Sequence, residues 1–195
     1  MHYIIGLGNP GEEYTNSRHN VGRIVAEFFR KKEKLPEFKV DKKLKALVSS
    51  GKLEKEKVEV ILPETFMNKS GLSLKPVITS KKKAQSLVVI YDDLDLALGT
   101  FKISFNRGSG GHRGLESIIR TLKTKEFVRI RVGISPATPK GKVKKPQGEK
   151  KVVDFIIGDF KPKELETIKK ISKKIHEALV MISTESYQKA MSVYN

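Results

Sequence analysis

Residues 3–22 constrain this chain more than any other stretch. An apolar run from Tyr3 to Leu7 breaks directly into Gly6-Leu-Gly-Asn-Pro-Gly11, which continues as Glu-Glu-Tyr-Thr-Asn-Ser-Arg-His-Asn-Val-Gly22. A short continuous apolar run bounded by glycine predicts a buried strand. From Val21 to Phe29 the spacing becomes helical, with Val21, Ile24, Val25, Phe28 and Phe29 on one face. Strand, glycine-rich loop and helix in that order form the opening unit of an α/β sheet. The loop carries Asn9, Tyr14 and His19. An unperturbed imidazole changes charge between about pH 5 and 8, so it can act as a base near neutrality. An asparagine amide donates and accepts hydrogen bonds at once.

The rest of the chain extends the same pattern. Leu44–Leu53, Val58–Leu62, Leu87–Tyr91 and Phe101–Phe105 predict strands, the third being apolar throughout, as central strands are. Val128–Ile134 alternates, with Val128, Ile130, Val132 and Ile134 facing one way and Arg129 and Arg131 the other. Leu115–Leu122 has helical spacing, and Ser70 is expected to cap a helix through Leu74 and Ile78 that Pro76 shortens or bends. Lys81–Lys83 reads as a short solvated run. Residues 136–151, rich in Pro, Gly and Lys, read as a mobile basic loop within one domain. Beyond the apolar Val152–Ile157 run, Pro162 suits a first helical turn, with Glu164 and Glu166 near its positive end. That helix is expected to reach about residue 193, with a break near Ser183–Thr184. No internal repeat occurs. The expectation is an α/β fold over residues 1–195: a single-domain sandwich in which a mixed, mostly parallel twisted sheet carries helices on both faces.

Composition sets the class of partner. Of 195 residues, 39 are basic and 22 acidic, a formal charge of +17. Such an excess attracts polyanions, with nucleic acid foremost. An acidic membrane surface is the competing partner, but Trp is absent and no basic amphipathic helix rich in Trp or Phe appears. No apolar stretch approaches transmembrane length, and the start lacks the basic region and long apolar run of a signal peptide. A cytoplasmic protein with no membrane partner is expected. The absence of cysteine excludes disulfides, thiolate metal sites and a cysteine nucleophile.

Four segments carry candidate chemistry. Gly6-Leu-Gly8-Asn-Pro-Gly11 has the form of a dinucleotide-binding turn, but Pro10 offers no N–H to a pyrophosphate and the helix begins well after Gly11. A tight turn explains the glycines without giving Asn9 or His19 a role. Thr65-Phe66-Met67-Asn68-Lys69-Ser70-Gly71 follows a strand and places an aromatic and an amide on a loop. Tyr91-Asp92-Asp93-Leu94-Asp95 closes the most apolar strand, and strand ends are where α/β sites form. Its carboxylates admit three readings: metal ligands with His19 and His112, a solvated turn, or an orienter for a histidine. Gly108-Ser-Gly-Gly-His-Arg-Gly-Leu115 precedes a helix, and its backbone N–H groups suit a phosphate or an oxyanion. No Gly-x-Ser-x-Gly elbow is present, which argues against a serine nucleophile.

Residues 6–22 resemble the N-terminal signature of bacterial-type peptidyl-tRNA hydrolases, esterases that free peptides from prematurely released peptidyl-tRNA. The three later segments are similar to that family's Thr-Phe-Met-Asn-x-Ser-Gly, Asp-Glu/Asp-Leu-Asp and Gly-Gly-His-Asn-Gly-Leu motifs, in order. The likeness extends to the Lys189–Asn195 tail. It implies hydrolysis of the ester between a peptide and the 3′-terminal ribose of tRNA. Water is then the nucleophile, His19 the general base and Asp92 its orienter. Asn68 orients the water or carbonyl, Asn9 binds the first peptide amide or carbonyl, and Tyr14 and Phe66 offer surfaces to the terminal base or peptide. The resemblance also implies no metal or organic cofactor, no obligate protein partner, and a monomer that holds the acceptor stem and CCA end through lysines and arginines. His112 is expected to support its loop, and His2 and His176 to be incidental. Two positions depart from the family. Arg113 stands where the family has Asn, and arginine has donors only. Ser104 stands where a second basic residue often follows the one at Lys102, leaving Lys102, Arg107 and Arg131 as phosphate contacts.

Overall fold

The computed structural model describes residues 1–195. Seven strands form one sheet: β1 (His2–Gly6), β2 (Lys39–Asp41), β3 (Ala46–Leu53), β4 (Glu56–Pro63), β5 (Leu87–Ala97), β6 (Phe101–Phe105) and β7 (Val128–Ser135), in the order β2-β3-β4-β1-β5-β7-β6. The four central strands, β4 to β7 through β1 and β5, run parallel, while β2 and β3 on one side and β6 on the other are antiparallel. The parallel pairings expected from the sequence therefore sit in the middle of the sheet and the antiparallel ones at its edges.

Both faces of the sheet are covered, which is why Tyr3–Ile5 of β1 and Leu87–Tyr91 of β5 form continuous apolar runs. Consecutive strand residues point to opposite faces. Ile4 joins a core with Val25, Phe29, Ile175 and Leu179, and Ile5 joins another with Leu74, Leu115 and Phe127. The first core lies under α1 (Val21–Lys32), α5 (Pro162–Thr184) and α6 (Tyr187–Tyr194); α3 (Arg113–Leu122), a 3-10 segment (Met67–Ser73) and the short α2 (Lys81–Ala84) cover the second. α5 and α6 part after Thr184, beside the expected break, and Ser186 caps α6 through Lys189 N. Asn195 then pairs its side-chain amide with both backbone groups of Ile103, closing part of the β6 edge.

Two local expectations are corrected. Ser70 caps no helix: it lies inside the 3-10 segment, and its hydroxyl donates to Met67 O at 2.8 Å. Residues 136–151 are not loop throughout. Ala137 and Val143 bridge, and α4 (Glu149–Ile157) begins inside the segment and absorbs the apolar 152–157 run. Arg129 faces the other way from Val128 and Ile130, as the alternation predicts, and is fully buried there: its guanidinium lies 4.3 Å above the Phe127 ring and donates to Arg107 O. Burial pushes its pKa down to about 10, with neighbouring Arg107 and Arg131 adding to the effect.

Close packing at one glycine places the site. A Cβ on Gly22 would meet Ile90 O at 2.3 Å and Leu7 N at 2.6 Å. The first turn of α1 is thereby pressed against the carboxyl ends of β1 and β5, and the turn before it, Arg18–Asn20, is set directly above the end of β5.

Candidate active site

A cleft of about 850 Å³ opens at the carboxyl ends of the parallel strands. The β1 loop brings Asn9 and His19, the segment after β4 brings Phe66 and Asn68, and the end of β5 brings Asp92. The 108–113 loop and the apolar side of α4 complete it. Five of the six site residues expected from the sequence thus converge.

Tyr14 is the exception. Gly11 adopts φ 113°, a left-handed value that turns the chain into a 3-10 turn over Glu12–Tyr14. That turn carries the half-exposed Tyr14 aside, and it does not line the cleft.

His19 and Asp92 are both buried. The His19 Nδ1 lies 2.8 and 3.0 Å from the two Asp92 oxygens. His112 sits on the other side of the same carboxylate, its Nε2 3.0 Å from Asp92 Oδ1. His112 Nδ1 accepts from the backbone N–H of Gly114 and Leu115 at 3.1 and 3.3 Å, capping α3. A nitrogen that accepts two N–H groups carries no proton, so the His112 proton is on Nε2 and is donated to Asp92. Asp92 thus receives N–H donors from two imidazoles. Burial alone would raise its pKa; the charges and hydrogen bonds of His19 and His112 outweigh burial and hold the carboxyl well below the usual carboxylate range. An ionised Asp92 fixes the His19 proton on Nδ1 and leaves the Nε2 lone pair to the cleft. Tyr91 meets the His112 ring edge-on at 5.0 Å, and burial followed by Asp93 pushes its phenol up to about 12.

The metal reading is tested by the same geometry. His19, Asp92 and His112 present nitrogen and oxygen atoms within 4.8 Å of one another. Yet both imidazoles use the nitrogen facing Asp92 as a hydrogen-bond donor, and the second nitrogen of His112 is taken by the backbone. A protonated nitrogen has no lone pair for a cation, so this donor set suits a proton relay better than an ion.

Asn9 is fixed from two sides. Its backbone N–H donates to Asn20 Oδ1 at 2.8 Å, and its carbonyl accepts from Asn20 Nδ2 at 2.9 Å. Its side-chain Oδ1 accepts from Met67 N at 2.9 Å, which directs the Nδ2 donor toward the open cleft. Asn20 is a structural partner that the sequence did not single out. Asn68 and Phe66 are exposed on the rim. Asp93 and Asp95, structural or turn residues once Asp92 is the orienter, form ion pairs with Arg131 and Lys145. Arg113 reaches across the mouth to Glu149 at 3.0 Å, both groups being exposed. Lys102 is exposed beside Arg131 on the neighbouring strand, and Arg107 is exposed on the rim.

The model of the peptidyl-tRNA hydrolase family matches residues 3–195. A peptidyl-tRNA hydrolase of Thermodesulfovibrio yellowstonii is 37% identical over 198 residues, covering 100% of this chain and 99% of the relative. One from a Thermoanaerobacter species is 39% identical over 196 residues and covers 100% of both. The crystal structure of peptidyl-tRNA hydrolase from Acinetobacter baumannii superimposes with a TM-score of 0.88 at 27% identity, covering 100% of this chain and 94% of that one. By sequence over its whole length and by fold, the chain belongs to the peptidyl-tRNA hydrolase family.

Proposed function

We propose that the chain hydrolyses the ester between a peptide, or an N-blocked aminoacyl group, and the 3′-terminal ribose of tRNA, with His19 as general base. The observation that carries this reading is the buried His19–Asp92 pair facing a cleft rimmed by two asparagine amides. His19 Nε2 takes a proton from water as the water attacks the ester carbonyl, and Asp92 stabilises the imidazolium that forms. Positioned base catalysis of this kind contributes about 10²–10⁴-fold. Asn68 orients the water or the carbonyl. A backbone N–H group stabilises the developing oxyanion.

Asn9 supplies the choice of substrate. Its Oδ1 is engaged by Met67, so its free Nδ2 donates to the carbonyl of the first peptide bond. An unblocked α-amino group has no such carbonyl, and a cationic amine would oppose a donor. A site built around one polar pairing discriminates strongly when that pairing fails. Phe66 offers its exposed ring to the terminal base or peptide. Lys102, Arg107 and the lysines of 136–151 hold acceptor-stem phosphates without reading sequence, as suits an enzyme acting on many tRNAs. The reading is of a cytoplasmic monomer that needs no cofactor; no helix is long and apolar enough to cross a membrane.

The deciding experiment follows release of N-acetyl-aminoacyl groups from tRNA, with unblocked aminoacyl-tRNA alongside and EDTA present. Fast release of only the blocked substrate is expected. Tight tRNA binding without release would indicate a non-catalytic RNA-binding relative. Loss of activity in EDTA would restore the metal reading. Arg113→Asn, returning the family's amide, separates tolerance from impairment: an unchanged rate means the arginine is tolerated, and a higher one means that it weakens this chain.

A further inference from the structure

We propose that Arg18 is a positioning residue for His19, holding the turn that carries the imidazole against the end of α4 and the start of α5. This inference rests on the reading of His19 as the base. Arg18 immediately precedes His19 on the 3-10 turn and is buried, an unusual place for a guanidinium in a chain with so many exposed cations. Its side-chain hydrogen bonds and ring contacts are all with residues 155–164, far from it in sequence. Nη1 donates to Gly158 O at 3.1 Å and to Phe155 O at 3.4 Å, and Nη2 donates to Glu164 Oε2 at 2.9 Å. The guanidinium carbon lies 4.5 Å from the centre of the Phe155 ring and 5.6 Å from that of Phe160.

These contacts join two helix ends. Gly158 terminates α4, so Arg18 places positive charge where the last carbonyls of that helix point, as the helix dipole favours. Glu164 also accepts from Lys161 N at 2.7 Å in the capping arrangement that starts α5. The backbone repeats the attachment: Arg18 N donates to Gly158 O at 3.0 Å, and Phe160 N donates to Asn16 O at 2.9 Å. The turn bearing His19 is therefore clamped on one side by Asp92 and on the other by the 155–164 segment. α4 buries none of its own residues, and its Val152, Val153, Ile156 and Ile157 line the cleft. Arg18 thus sets two things at once, the imidazole and the apolar wall opposite it.

A planar fork reaching three acceptors and two rings is a task lysine cannot copy, although lysine keeps the charge. A displacement of about 1 Å in a reacting group can cost about 10²-fold in rate. Arg18→Lys is expected to lower kcat about ten- to hundredfold with KM changed less than about threefold. The His19 ring signals in nitrogen-detected NMR are expected to shift or broaden in the free enzyme. Glu164→Gln, which keeps an acceptor for Nη2, is expected to retain most of the rate and the wild-type His19 signals. The NMR spectrum also reports the amides of β1 and β5, which must stay in place for the Arg18→Lys rate to be read. If those amides move, Arg18→Gln, uncharged but able to donate, is read in the same way. Wild-type kcat together with unmoved His19 signals in a folded variant overturns the proposal. A large rise in KM with kcat preserved also overturns it, showing that Arg18 serves substrate binding. If His19→Ala keeps full activity while Arg18→Lys still moves the ring signals, the base assignment fails and the positioning role stands.

Discussion

Asp92 accepts two imidazole N–H groups in a place where its carboxylate could not otherwise survive burial, so its removal acts on charge, tautomer and packing together. In Asp92→Asn the side-chain amide can present its NH₂ to His19, which favours the wrong tautomer. Turnover is expected to fall by about 10³–10⁴-fold, and steady-state hydrolysis of N-acetyl-aminoacyl-tRNA measures it. The same substitution has a pH signature. The folded carboxyl lies below its usual range. Its stabilising contribution is therefore full above the unfolded carboxylate pKa of about 4 and is lost as pH falls below it toward the depressed folded value. Urea midpoints of wild type and Asp92→Asn measured from pH 7 down to pH 3 should hold a steady gap above about pH 5 and begin to draw together below about pH 4; a gap unchanged at pH 3 would show that the pair does not titrate as a unit. His19→Ala, by contrast, is expected to reduce kcat by about 10²–10⁴-fold while tRNA affinity, read by filter binding, stays within about twofold. The free base acts in the chemical step and the RNA is held elsewhere. Equal losses in rate and affinity would remove His19 from the chemistry.

At the scale of secondary structure, His112 does two jobs that can be separated. As the cap of α3 it satisfies two backbone N–H groups, and as a donor it holds Asp92. His112→Ala loses both and should cost about 0.5–2 kcal/mol of stability through the cap alone. His112→Asn restores a capping oxygen without reaching Asp92, so the thermal midpoint should recover more than the rate. Recovery of both would mean that the Asp92 contact is incidental. Gly22→Ala tests the seating of α1, because a methyl group there meets Ile90 O and Leu7 N. Crowding of this kind costs about 1–3 kcal/mol, or about 2–12 °C in Tm for a chain of this size. The strands and main helices were legible because their apolar positions repeat at fixed periods. His19 and Asp92 were legible because each sits in a motif at a strand end. Other features turned on contacts that no local pattern records. Asn20 works through the backbone of Asn9, His112 through a carboxylate twenty residues away, and Arg18 through residues about 140 positions on. The position of Ser70 inside a 3-10 segment and of Tyr14 outside the cleft has a related cause: the chain turns within a few residues, at Met67–Ser73 and at Gly11, where local preference says little.

For the molecule as a whole, the charge of +17 is distributed unevenly in its availability. Around the cleft several cations are already engaged: Arg131 with Asp93, Lys145 with Asp95 and Arg113 with Glu149. RNA phosphates must compete with these pairs, whereas Lys102 and Arg107 make no ion pair within the protein and meet RNA without such competition. Salt therefore separates binding from chemistry. Each phosphate neutralised releases counterions, so affinity falls with a log–log slope of about −0.7 to −0.9 per contact. The His19–Asp92 pair is buried and is screened far less. Raising NaCl from 50 to 300 mM should thus increase KM steeply while kcat stays nearly constant, as initial rates over a range of tRNA concentrations would show. Lys102→Ala and Arg107→Ala should each flatten the slope by about one contact, and Arg131→Ala by less, because its guanidinium has a carboxylate to leave before it can meet a phosphate. A salt-insensitive KM would mean that the positive surface serves solubility and that the acceptor stem is held by shape and stacking alone.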